Sequence, residues 1–152
     1  MESSPEVSAR RAELERSAPI AARSAWKRTQ LGNRDVLFLC GTIGAEFDAW
    51  QRRLSVTSAA DALLSQQIGL DAVERVMDEL EERLRQEIEA EGLKVLPRKS
   101  PGYGDLPLSL SRTILAELDA ARKIGVSITD SDLLVPSKSV TAICEIGSGE
   151  RE

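Results

Sequence analysis

Histidine is absent from all 152 residues. Its absence excludes Ser-His and Cys-His nucleophilic catalysis, histidine-held metals and any imidazole ligand to a cofactor. Aromatic residues make up only 3% of the chain, so the core must be built from Leu, Ile, Val and Ala. Cysteine occurs twice, as Cys40 and Cys144, each inside an apolar run. Two buried thiols argue against a disulfide framework and fit a reducing compartment, so a cytoplasmic location is expected. No apolar run approaches the roughly 20 residues needed to cross a bilayer. The first residues lack the apolar core of a signal peptide, and Glu2, Glu6, Glu13 and Glu15 count against a transit peptide. Net positive charge is lacking as well: the formal charge is −5, which argues against nucleic acid as the main partner. Residues 1–34 nevertheless carry seven basic and four acidic groups, so the remainder is strongly acidic. An acidic body suits a cationic ligand or a basic partner, and also serves simple solubility.

What is present divides into periodic segments. Residues 1–34 are polar and broken by Pro5 and Pro19; they read as a flexible N-terminal arm, with room for a short helix near Ser8–Arg16 and Trp26 as its one anchor. Val36–Cys40 is a continuous apolar run and reads as a buried strand. Gly41-Thr42-Ile43-Gly44 follows, before a helix bearing Phe47, Trp50 and Leu54 on one face. Strand, glycine corner and helix outline a phosphate cradle, but the spacing fits neither a dinucleotide fingerprint nor a P-loop, and a tight turn is the plainer reading. A helix from Ser58 carries Leu63, Leu64 and Ile68 and is expected to break at Gly69. A long charged helix near residues 71–90 then sets Val73, Met77, Leu80, Leu84 and Ile88 at three- and four-residue spacing. Its other faces read as solvated, with i,i+4 ion pairs. Leu93–Leu96 is a short strand, Leu108–Lys123 a helix closed by Gly125, and Val126–Ile128 a brief strand. Leu133–Val135 and Ser139–Ile146 read as a hairpin or near-hairpin around Pro136-Ser137-Lys138. The expected fold is α+β, one mostly antiparallel sheet packed with three or four helices, with a frayed tail over 148–152.

The densest punctuation lies between the last two long helices, in Arg98-Lys99-Ser100-Pro101-Gly102-Tyr103-Gly104-Asp105-Leu106-Pro107. A segment so rich in Gly and Pro is neither helix interior nor central strand. An arginine and the only tyrosine, held on an ordered loop with bare glycine backbone between them, suit a small anionic or zwitterionic ligand. The plainer reading of Arg98 is a salt bridge to the acidic long helix.

Arg98-x-x-x-Gly102-Tyr103 resembles the RxxxGY loop of the activation domain of cobalamin-dependent methionine synthase. The resemblance continues through Ile124–Ser131 and Pro136–Ile143, and upstream through Val36–Gly44 and Leu80–Arg85, covering about residues 35–147. It implies a domain that binds S-adenosylmethionine and presents its methyl group to cobalamin during reductive reactivation. Displacement at a sulfonium methyl needs orientation and exclusion of water more than acids or bases, so a chain without histidine suffices.

Carried over residue by residue, the resemblance gives Arg98 the ligand carboxylate, Gly102 a close backbone approach and Tyr103 a packing or hydrogen-bonding contact. Lys99, Ser100 and Pro101 would meet the adenosine through backbone groups, and Glu82 would offer a carboxylate to the ligand's amino group. Two departures stand out. Ile143-Cys144 occupies the place of the family's Trp-Tyr pair, as in a shorter, free-standing branch, and the family's N-terminal acidic segment has no counterpart in residues 1–34. Without histidine the cobalamin-carrying motif is also impossible. The chain is therefore expected to act in trans on a cobalamin-binding methionine synthase or corrinoid protein, with a flavodoxin or ferredoxin-type electron donor. No metal site, nucleic-acid partner or membrane partner is expected. The competing reading is a non-catalytic interaction protein that keeps the scaffold and caps a corrinoid protein.

Overall fold

A computed structural model describes residues 4–148. In chain order, α1 (Pro5–Ser17) precedes a hairpin of β1 (Arg23–Leu31) and β2 (Arg34–Thr42). Then come α2 (Ala45–Thr57), α3 (Ala59–Glu89), β3 (Leu93–Val95), α4 (Leu110–Leu118) and α5 (Ala120–Ile124). The short strands β4 (Ser127–Ile128) and β5 (Leu134–Val135) lead to β6 (Ser139–Ser148). The main sheet is antiparallel throughout, in the order β1-β2-β6-β3, and β4 pairs with β5 in a separate two-stranded ribbon. The architecture is α+β, as the patterning predicts, with five helices among the described residues.

The apolar run of β2 is continuous because both faces of the sheet are covered. Side chains alternate across a strand, so Val36, Phe38 and Cys40, with Ile143 of β6, face Leu110, Ile114, Leu115 and Leu118 of α4 and Ala120 of α5. Leu37 and Leu39, with Ala142 and Cys144, face Met77, Leu80, Leu84 and Ile88 of α3. A third cluster joins α1, α2 and the first half of α3 through Leu14, Phe47, Trp50, Ile68 and Val73. Both cysteines are buried and free. Among the described residues no helix is long and apolar enough to cross a membrane.

Four expectations need correction. Residues 5–31 are not a loose arm: Ser4 caps α1 by accepting from the Val7 N–H, Leu14 is buried, and Arg10 and Arg11 reach Asp61 and Asp71 on α3. β1 pairs with β2 over nine residues, so the sheet begins at Arg23, upstream of the expected start at residue 35. The tail expected over 148–152 lies outside the described residues except for Ser148, which ends β6.

Gly69 breaks nothing. α3 runs unbroken for 31 residues, and a Cβ at Gly69 would sit 2.6 Å from the Phe47 ring and 2.9 Å from Cε of Lys138. That glycine marks a close crossing of α2 over α3, and packing outweighs its low helix propensity of about 1 kcal/mol. The helix expected over Leu108–Lys123 is divided at Asp119, whose backbone is left-handed at φ 55°. Finally, β5 and β6 form no hairpin. β6 is an inner strand flanked by β2 and β3, and β5 turns back to β4 instead.

Candidate functional site

The Arg98–Pro107 loop leaves the sheet at a defined point. Lys99 and Ile143 exchange two backbone hydrogen bonds, 2.8 and 2.9 Å, which extend the pairing of β6 beyond β3. Farther out the loop closes on itself: the Gly102 N–H donates to the Leu106 carbonyl at 2.8 Å, and Tyr103 donates to Ser100 at 3.1 Å. Gly102 has φ +88°, and a Cβ there would meet Cδ1 of Leu108 at 3.2 Å. The backbone conformation therefore calls for glycine, and Leu108 leaves little spare room beside it.

Between Arg98, Lys99 and Ser100 on one side and Tyr103, Gly104 and Asp105 on the other lies a cleft of about 410 Å³. It brings together four of the seven residues the sequence singles out. Tyr103 is 77% exposed at its rim. Pro101 and Gly102 shape the turn without lining the cleft. The seventh residue, Glu82, faces a neighbouring depression of about 390 Å³ with Asp78, Glu79, Arg83 and Gln86, and accepts from the Gln86 amide at 3.1 Å.

The carboxylates that reach Arg98 are others on α3. Its Nη1 donates to Glu81 at 2.6 Å and lies 2.9 Å from Asp78, while Nη2 donates to Glu74 at 2.7 Å. Glu81 is the fixed member: its second oxygen accepts from Arg85 at 2.6 Å, and Arg85 also donates to the Val95 carbonyl. Glu74 and Asp78 are exposed and hold only the outer edge of the guanidinium. Burial opposes the Arg98 charge, but the bonds to Glu81 and Asp78 outweigh it and hold the group more firmly protonated than usual. The salt-bridge reading of Arg98 and the cleft reading thus both describe the same side chain. Spacing could have flagged Glu74, Asp78 and Glu81, which recur every three or four residues along one stripe of the helix; Glu82 falls at the edge of that stripe.

Cys144 stands behind this cluster. Its thiol is pushed up to about 12, chiefly by burial, so it behaves as a small apolar group and supplies nothing to the cleft. No grouping of side chains suited to a metal ion occurs among the described residues.

Fold and cleft together define an antiparallel α+β domain in which a glycine-opened loop, tied to the long helix through Arg98, encloses an open recess. No family model matches the sequence, and no curated protein matches it. Among solved structures the chain is similar to the MetH reactivation domain bound to AdoHcy, with a TM-score of 0.65 and 19% identity. The match covers 78% of this chain and 41% of that one, so this chain spans about two-fifths of the structure it matches. The likeness is one of fold.

Proposed function

We propose that this chain binds S-adenosylmethionine in the Arg98–Asp105 cleft and serves, in trans, the reductive reactivation of a cobalamin-dependent methionine synthase or related corrinoid methyltransferase. The observation that carries the reading is the Arg98 cleft itself, formed by the loop that bears the RxxxGY pattern, on a fold shared with a domain solved with AdoHcy. The ligand's amino-acid end is a zwitterion. Its carboxylate takes the outer edge of Arg98 in place of Glu74 or Asp78, and the displaced acid is then free to meet the ligand's ammonium. Glu81 and Arg85 keep the guanidinium in place during this exchange. Tyr103 covers the ligand from the opposite rim, and Gly102 and Gly104 let backbone approach it.

No residue here needs to gain or lose a proton. Cobalamin stays with the partner protein, which supplies the acceptor for the methyl group, and electrons come from a flavodoxin or ferredoxin-type donor. This chain's part is to orient the sulfonium and exclude water.

A second reading is favoured by one observation: Arg98 already has three internal acids, and Ile143-Cys144 offers no aromatic cover. On that reading the chain caps a corrinoid protein without binding S-adenosylmethionine. Calorimetric titration decides. The wild type binds S-adenosylmethionine, and Arg98→Ala loses about 1.5–3 kcal/mol, the scale of a hydrogen bond to a charged group. A wild type silent at millimolar ligand supports the capping role, and equal binding by both proteins places the ligand elsewhere.

A further inference from the structure

β1 is an outer strand of the main sheet, paired with β2 over nine residues on one side and with no strand on the other among the described residues. Which of its backbone groups face outward follows from the far side of the sheet. Ile143 and Glu145 of β6 bond away from β2, to Lys99 and Leu96. Antiparallel ladders alternate, so β6 reaches β2 through Ala142 and Cys144, and β2 reaches β1 through Val36, Phe38 and Cys40. Their partners on β1 are Thr29, Lys27 and Ala25. Ser24, Trp26, Arg28 and Gln30 therefore turn their N–H and carbonyl groups to the open edge.

Long sheet edges are commonly guarded by proline, a bulge or free charge. β1 has no proline, and its register with β2 is unbroken from Arg23 to Leu31. Of its three cations, two are already paired within the chain: Lys27 with Glu117 at 2.8 Å, and Arg28 with Asp35 at 2.8 Å and Glu91 at 3.2 Å. Trp26 stands near the middle of the edge and is 43% exposed. It lies opposite Leu39, on the sheet face that α3 covers. Two residues along that face, at Ser24, a groove of about 220 Å³ opens between β1 and α3. Val76 and Leu80 help to line it, and Arg23, Glu79 and Arg83 are its charged members.

We infer that β1 is the seam of a homodimer, in which two copies pair antiparallel about a two-fold axis at Trp26 and their four-stranded sheets join into one. The order of residues along the strand selects both the occupant and the register. With the axis at Trp26, Arg23 pairs with Thr29, Ser24 with Arg28, Ala25 with Lys27, and Trp26 with its own counterpart. Moving the axis to Lys27 or Arg28 sets that cation against itself, and moving it farther shortens the shared ladder. Like charges directly opposite are destabilising, whereas paired aromatics stabilise. Each indole also becomes a diagonal neighbour of Ser24 on the other copy, within reach of the groove. The seam is on the edge of the sheet remote from Lys99, so the inference stands apart from the ligand proposed for the Arg98 cleft.

The test is sedimentation equilibrium of the full chain from micromolar to submillimolar concentration, with amide exchange followed by NMR on the same samples. The expected result is a mass that doubles as concentration rises, with exchange at Ser24, Trp26 and Arg28 slowing in step. Ala25 and Lys27, bonded to β2 in either state, should change little. Trp26→Lys and Trp26→Glu, each checked by circular dichroism, are expected to raise the dissociation constant about tenfold, because the aromatic contact is lost and like charges meet across the axis. Mixed in equal amounts, the two variants bring opposite charges together there and recover association. A wild type that stays monomeric overturns the inference and leaves the edge to a strand of another protein. A dimer whose Trp26 amide exchanges as fast as in the monomer also overturns it, and that reading needs no variant. Association indifferent to both substitutions, or a mixture no tighter than its components, rules out the seam at Trp26.

Discussion

Glu81 and Arg98 meet at 2.6 Å with side chains only 14% and 18% exposed, and the same carboxylate grips Arg85 on its other side. One acid on α3 thus fixes two arginines from different parts of the chain, one of them at the cleft. Glu81→Gln keeps the shape and removes the charge. It is expected to cost about 1–3 kcal/mol in urea unfolding, because two partly buried guanidinium groups lose their common partner. An unfolding midpoint equal to wild type would show the triad to be ornamental.

Gly69 tests the crossing of α2 and α3. In Gly69→Ala the new methyl group must push into the Phe47 ring and the Lys138 stem. Lys138 is 6% exposed, and burial already lowers its affinity for a proton, with Asp48 opposing that effect. The substitution is expected to destabilise by about 1–3 kcal/mol, against the slight gain alanine normally brings to a helix. Thermal melting gives the sign directly.

Leu14 tests whether the amino-terminal helix belongs to the folded unit. It is 3% exposed and packs with Ile43, Phe47 and Trp50. Leu14→Ala is expected to cost about 2–4 kcal/mol and to speed tryptic cleavage after Arg10, Arg11 and Arg16. Cleavage no faster than in wild type would mean that α1 is held by its ion pairs to α3 alone.

Alkaline pH tests the buried thiols. Cys40 and Cys144 rise from 9.0 to about 12 on burial. Unfolding lets both ionise at the lower value, so the unfolded chain binds fewer protons than the native one between about pH 9 and 12. Stability is therefore whole below pH 9 and falls as pH climbs through that window, with the two thiols contributing a slope that approaches about 2.7 kcal/mol per pH unit. The Cys40→Ala/Cys144→Ala variant should show a shallower decline in urea titrations at pH 8 and pH 10. Parallel declines in the two proteins would contradict the burial of the thiols.

Much of the fold was legible in periodicity alone. The apolar run of β2 and the stripe from Val73 to Ile88 bury the side chains their spacing predicts, whereas along β6 both faces are covered, so Thr141 and Ile143 are buried while Val140 and Ile146 are only half-buried. What periodicity missed depends on partners distant in sequence. α1 has a single buried side chain, Leu14, and no periodic face to announce it. Gly69 reads as a break until Phe47 and Lys138 are known to lie across it. The loop was legible because Pro101, Gly102 and Gly104 leave little other choice of conformation. The salt bridge from Arg98 to the long helix was legible, but not which of its acids, Glu74, Asp78 and Glu81, would make it. Neighbouring positions on a helix point about 100° apart, and the sequence does not say which way the long helix is turned.

The two rims of the cleft differ in mechanical character. Arg98 hangs from a segment spliced into the central sheet at Lys99 and Ile143, and is gripped from behind by Glu81. Tyr103 sits at the exposed tip of a bend closed by its own backbone hydrogen bonds and tied to the core through Leu106. One wall of the recess is thus part of the sheet itself, while the other ends in a side chain that is 77% exposed.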